Sequence, residues 1–253
     1  MDSFTLQLIT GVLIGIGAGY VGSFMVLRHM SLVGDALSHV ALPGIALALI
    51  FHINPFIGAF SLLFLAIVGI WYLEKKTTLP SETLVGIFFT TSLALGLLLT
   101  PEPELLEALF GNISKVSIYD ATAAVIIVSA VCIIMYKLSD KLMLGIISKE
   151  LSQSMRIPVD KINFIFMFMV ALIVALGLKI TGTLLMGSLV IIPAAAAKNI
   201  ATNLSRYTLT SCLIGGIASL AGIIIASHLN LQPGPIIVLI SGVIFLGTLI
   251  FKK

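Results

Sequence analysis

The sequence predicts an all-α fold, a polytopic helical membrane protein of eight to nine transmembrane helices in one domain spanning 1–253, and three observations predict it. First, 59% of the 253 residues are hydrophobic and 10% are charged, whereas soluble domains carry roughly 25% charged residues. Second, apolar runs of about 20 residues, the length of one bilayer crossing, recur near 4–27, 33–51, 55–73, 83–100, 119–137, 161–178, 180–197, 207–227 and 234–251. Third, the cations between these runs fall unevenly. With nine crossings and the N-terminus outside, the inner loops and ends collect Arg28, Lys75, Lys76, Lys137, Lys141, Lys149, Arg156, Lys161, Lys198, Arg206, Lys252 and Lys253, and only Lys115 and Lys179 lie outside. That bias follows the positive-inside rule. If one short run re-enters instead of crossing, with 180–197 the weakest, the count is eight and the N-terminus moves inside.

In chain order, the first run lacks the basic start of a cleaved signal and is too long for one, so it reads as a retained span. Its Gly11, Gly15 and Gly19, at four-residue spacing, allow another helix to approach closely. The link 74–82, EKKTTLPSE, is a polar inner loop. The stretch 101–118 opens with acids and places Leu105, Leu106, Leu109 and Phe110 at helical spacing, which suits an amphipathic piece along the outer interface or a solvated face. In 138–160 the run SKELSQSMRIPVD reads as a short surface helix that stops before Pro158. SHLNLQPGP is an outer turn before the last span. Cys132 and Cys212 are far apart in apolar runs without C-x-x-C spacing, which implies neither a disulfide framework nor a thiolate metal site.

The most informative stretch is Met30 to Ala48, MSLVGDALSHVALPGIALA, because it sets an acid and an imidazole inside a span. Asp35 and His39 are four apart and share one helix face. From Arg28 at the inner boundary, His39 is eleven residues on, roughly 16 Å along a helix and about half the hydrocarbon thickness. Ionisable groups at that depth cost several kcal/mol and face a polar cavity, a partner or a transported ion. Pro43, without an N–H, weakens the helix one turn later and can free backbone oxygens. One carboxylate and one imidazole make an incomplete shell for zinc(II) or manganese(II). A two-fold dimer would double the set. Metal passage and a hydrogen-bonded pair that fixes packing or relays protons both satisfy this pattern.

A second informative stretch is Thr181 to Tyr207. After Pro193 it runs Ala194, Ala195, Ala196, Ala197, Lys198 and Asn199, then Arg206, so an alanine-rich piece leaves the membrane at the basic face. It suits either a plug for a groove in a cytoplasmic partner or an ordinary helix end with snorkelling cations. His29, His52 and His228 stand alone near interfaces. No G-x-x-x-x-G-K-[ST], H-E-x-x-H or G-x-S-x-G occurs, so the chain does not read as an enzyme.

The run Arg28-His-Met-Ser-Leu-Val-Gly-Asp-Ala-Leu-Ser-His-Val-Ala-Leu-Pro-Gly closely resembles the signature of the membrane permease subunits of zinc/manganese/iron-type metal-uptake ABC transporters. Ser81-Glu-Thr-Leu-Val-Gly-Ile-Phe-Phe-Thr, Leu109-Phe-Gly-Asn-Ile with Ser117 and Asp120, Gly182 to Ala197, and Pro233-Gly-Pro follow in family order, over nearly the whole chain. The resemblance implies a homodimeric multi-pass permease of a prokaryotic cytoplasmic membrane, surrounded by lipid and binding no nucleic acid. It would take a divalent metal from an extracytoplasmic solute-binding protein and be driven by a separate cytoplasmic ATPase, which holds the ATP; no cofactor is bound permanently. Asp35 and His39 would line the metal path, and Ala194 to Arg206 would couple to the ATPase. The family usually carries an acidic or amide residue near Lys149, and an aromatic is common where His228 stands. The rival expectation is a proton- or ion-coupled secondary carrier, for which inverted repeats would speak.

Overall fold

The computed structural model describes residues 3–100, 106, 108–112 and 116–251. Its helices are α1 (Ser3–Leu27), α2 (Ser31–Val40), α3 (Leu42–Ile50), α4 (Pro55–Lys76), α5 (Ser81–Leu99), α6 (Ile118–Ile147), α7 (Lys149–Ser154), α8 (Val159–Ile200), α9 (Leu204–Leu229) and α10 (Pro233–Leu249). The all-α membrane architecture is the one expected from the sequence, and no strand occurs among the described residues.

Local chemistry sets the helix ends. Asn54 caps α4 by accepting the Phe56 N–H at 2.9 Å, with Pro55 at the first helical position where its missing donor costs nothing. Ser117 and Asp120 form a reciprocal capping box at the start of α6. Asn203 caps α9 by accepting the Arg206 N–H at 2.9 Å, and Asn230 closes that helix in the left-handed conformation. The span expected at 33–51 is divided at Ala41, one residue before Leu42 and Pro43 open α3. There the Ala41 N–H turns to the His39 carbonyl, so the oxygen that Pro43 leaves without its helical donor is not bare.

The 42-residue α8 joins the two runs expected at 161–178 and 180–197. The chain turns within it at Gly182, whose φ of 71° and ψ of 177° are closed to other residues, three positions beyond the expected boundary at Lys179. A Cβ there would also strike the Leu109 carbonyl. Among the described residues seven segments, one of them α2 and α3 taken together, are long and apolar enough to cross a membrane. With α8 divided at Gly182 and the shorter α10 added, nine apolar segments alternate in direction.

Side-chain pairs show that alternation. Arg28, at the end of α1, donates to Asn163 near the start of α8, whereas Gly11 at the other end of α1 lies beside Ile180. Lys179 late in α8 meets Asp120 early in α6 at 2.6 Å. Between α1 and α9, Ser211 Oγ donates to the Gly19 carbonyl at 2.6 Å, and a Cβ on Gly15 would land on the Gly215 carbonyl. The expected role of the α1 glycines as a close-packing stripe is therefore met by α9. Phe24, Met25, Phe166 and Ile173 lie wholly inside the core that α1 and α8 share.

Arg28, Lys75, Lys76, Lys137, Lys141, Lys161, Lys198 and Arg206 all sit at one end of this arrangement, which the positive-inside rule makes the cytoplasmic end. The N-terminus of α1 then lies outside. Two other expectations are refined. The fifth span runs on to Ile147, leaving α7 as a separate short helix on the cytoplasmic face. Of the proposed amphipathic piece, Leu105 lies outside the described residues; Leu106 is exposed, while Leu109 and Phe110 are half-buried where their turn docks against Gly182.

Candidate functional site

Asp35 and His39 lie on α2, one turn apart, where the helix packs between α5 and the second half of α8. Ser38 fixes this packing. Its hydroxyl is shared between the Asp35 carbonyl at 2.7 Å and the Thr183 carbonyl at 2.6 Å. Thr183 is the first residue after the Gly182 turn, so that turn presents a carbonyl to α2 at the level of the ionisable pair. Gly187, one turn further, lets the helices meet: a Cβ there would lie 2.6 Å from the Asp35 Cα and 2.7 Å from its Oδ1.

The His39 ring is 8% exposed and stands edge-on to Phe89 of α5 at 5.3 Å between centroids. Its Nδ1 is buried and has no hydrogen-bond partner among the described residues, and neither has the buried Thr183 hydroxyl. Asp35 is half-buried and near enough for its charge to act on the imidazole. One turn earlier, Leu32 is 81% exposed. The face therefore passes from open at Leu32, through half-open at Asp35, to closed at His39. A neutral imidazole with one unengaged nitrogen, beside a carboxylate, has the donor chemistry to ligate a divalent cation. Among the described residues no three His, Cys, Asp or Glu side chains cluster.

The histidines read as solitary remain so. His29, His52 and His228 are exposed at three different helix ends, the first two with left-handed backbones. The alanine-rich stretch is placed differently from a free surface helix. Ala194, Ala196 and Ala197 are fully buried in the last turns of α8 and Ala195 is half-buried, because small side chains let this end pack against Tyr207 and Ile214 of α9. Asn199 donates to Thr248 Oγ1 of α10 at 3.0 Å. Lys198 and Arg206 reach the surface here, together with Thr202, Asn203 and Ser205. Thr183, Phe89 and Gly187 were not singled out from the sequence. The signals that reached them were the family-like stretches 81–90 and 182–197 that contain them, and Gly182 between two threonines, a flexible residue in an otherwise strong helical run.

The profile of the ABC 3 transport family matches residues 1–252. The manganese import system permease protein ScaB of Streptococcus parasanguinis is 38% identical over 243 residues, covering 94% of this chain and 87% of that protein. The high-affinity zinc uptake system membrane protein ZnuB of Haemophilus influenzae is 33% identical over 255 residues, covering 97% and 96%. Among solved structures, PsaBC from Streptococcus pneumoniae in complex with Fab superposes with a TM-score of 0.87 at 32% identity, over 98% of this chain and 91% of that one.

Proposed function

Because the chain belongs to the ABC 3 transport family, we propose that it is the membrane permease of an ATP-driven importer of divalent transition metal, with manganese or zinc as cargo and iron as a third possibility. It is a transport component, not an enzyme. Relatives named for manganese import and for zinc uptake support the choice of cargo. The observation behind this reading is the unengaged His39 Nδ1 beside Asp35, in an apolar helix about half-way across the membrane. Such a pair binds a passing cation too weakly to trap it, which is what a conducting site requires.

Two copies related by a two-fold axis would bring both pairs to a shared path through the open face at Leu32 and Asp35. Metal would arrive from a solute-binding protein at the outer end. A cytoplasmic ATPase would seat on the basic end, against Lys198, Arg206 and α7, with Ala194 to Ala197 and Asn199 anchoring that end to the bundle. ATP binding on the partner would then shift the dimer between outward-open and inward-open states.

Asp35→Ala and His39→Ala, each assembled with the partner ATPase and binding protein in vesicles, should lower manganese or zinc uptake at least about tenfold while the complex still elutes intact. Full uptake by both variants overturns the assignment. Uptake that stops when the proton gradient is collapsed, although ATP is present, favours a secondary carrier instead.

A further inference from the structure

A cleft of about 630 Å³ lies at the outer end of the bundle, away from Asp35 and His39, between α1, the α3–α4 hairpin, the turn at Gly111 and Asn112, and the first half of α8. Its inner surface is apolar, formed chiefly by Ile14, Ile45, Leu49, Phe56, Ala59 and Leu176. Packing on both sides holds it open. A Cβ on Gly44 would lie 2.3 Å from the Gly58 carbonyl oxygen, so α3 and α4 are seated tightly against each other. Deeper in the membrane, Phe60 and Phe64 of α4 each meet Phe168 of α8 at 5.8 Å between ring centroids. The hairpin therefore grips α8 below the cleft and stands off from it at the outer end.

The polar groups of its wall are engaged within the chain. Thr10 Oγ1 donates to the Leu6 carbonyl at 2.7 Å, Asn54 Oδ1 accepts the Phe56 N–H at 2.9 Å, and the Asn112 N–H donates to the Lys179 carbonyl at 2.9 Å. Lys179 and Asp120, in contact at 2.6 Å, neutralise each other at the rim. The cleft thus offers no net charge to an ion, and its apolar walls give water few partners. Native interiors are close-packed, and a space of this size left empty would forfeit about as much free energy as holds a whole domain together. In a membrane-spanning chain the filler at hand is bilayer hydrocarbon, which restores the missing dispersion contacts. We propose that this cleft holds one acyl chain of an outer-leaflet phospholipid, seated by its hydrocarbon against Ile14, Leu49, Phe56 and Leu176, with the headgroup at the Lys179–Asp120 rim and no selection for headgroup charge.

The full-length permease is reconstituted in phosphatidylcholine vesicles containing a minor fraction of phosphatidylcholine with a diazirine on one acyl chain, irradiated, and mapped by mass spectrometry. Adducts should appear on Leu49, Phe56 and Leu176 as well as on Ile126, which is 64% exposed on α6 and reports the ordinary surrounding lipid. Ala59→Phe, which fills the cleft and keeps every charge, should lower the cleft adducts about tenfold and leave those on Ile126 unchanged. Ala175→Leu, at another lining position, repeats the test if Ala59→Phe fails to fold. Phosphatidylglycerol carrying the same diazirine should label the cleft equally well. Adducts on Ile126 alone, or cleft adducts that survive both fillings, overturn the proposal. So does a preference of about tenfold for one headgroup, which would mark a headgroup site. Leu176→Cys, in a chain whose Cys132 and Cys212 are replaced by Ser, should resist a charged thiol reagent added from outside, and ready reaction would mark a water-filled cleft and overturn the proposal as well.

Discussion

Replacing Ser38 with Ala removes the hydroxyl shared between the Asp35 and Thr183 carbonyls at 2.7 and 2.6 Å. Each carbonyl keeps other means of satisfaction, so the fold should lose only about 1 kcal/mol. The site should lose more, because α2 is then free to turn relative to α8 and the carboxylate and imidazole drift from the arrangement a cation needs. We expect the metal concentration for half-maximal uptake to rise roughly tenfold, with thermal stability in detergent nearly kept; an unchanged concentration dependence removes Ser38 from the site. Gly187→Ala, whose Cβ would lie 2.6 Å from the Asp35 Cα, should cost more uptake than Ser38→Ala. Asp35 and His39 were legible in the sequence because one-turn spacing on a single helix is a local property. Thr183 was not, since it meets Ser38 across 145 positions of chain, and no periodicity reports such a contact.

At the scale of elements, hydropathy located the spans but not their breaks. The run from Val159 to Ile200 is apolar on all sides, so its division was placed at Lys179, the visible charge, when backbone geometry puts it at Gly182. Lys179 is instead accommodated by Asp120, the acid of the α6 capping box, at 2.6 Å. The alanines after Pro193 left two readings open, because small side chains suit a docking surface and a tight helix crossing equally well; in this chain Ala194, Ala196 and Ala197 are buried at the crossing with α9. Gly182→Ala combines a left-handed φ of 71° with a clash on the Leu109 carbonyl. It should destabilise the permease by about 2 kcal/mol or more. Gly247→Ala, with open space around its Cβ, should be neutral or slightly stabilising. Thermal unfolding of the two variants side by side checks this, and equal midpoints would mean that the turn at Gly182 does not hold the outer end together.

At the scale of the molecule, the nine alternating segments put most of the cations at one end and leave a face of α2 open where it carries chemistry. Leu32 is 81% exposed while His39, two turns along, is 8% exposed. An aliphatic side chain facing lipid needs no explanation, but a half-exposed carboxylate one turn away does, because hydrocarbon is a poor neighbour for Asp35. Either water or a second copy must cover it. In the proposed dimer the two Leu32 side chains approach each other across the axis, nearer the cytoplasm than the two carboxylates. Leu32→Cys, in a chain whose half-buried Cys132 and Cys212 are replaced by Ser, should therefore cross-link to a second permease through a short bis-maleimide. A cysteine at Tyr136, 76% exposed on α6, should remain monomeric under the same treatment, because α6 packs chiefly on α1 and α8 and the proposed axis runs beside α2. Cross-linking through Tyr136→Cys and not through Leu32→Cys would move the axis away from α2, and a cation path shared by two Asp35/His39 pairs would have to be abandoned.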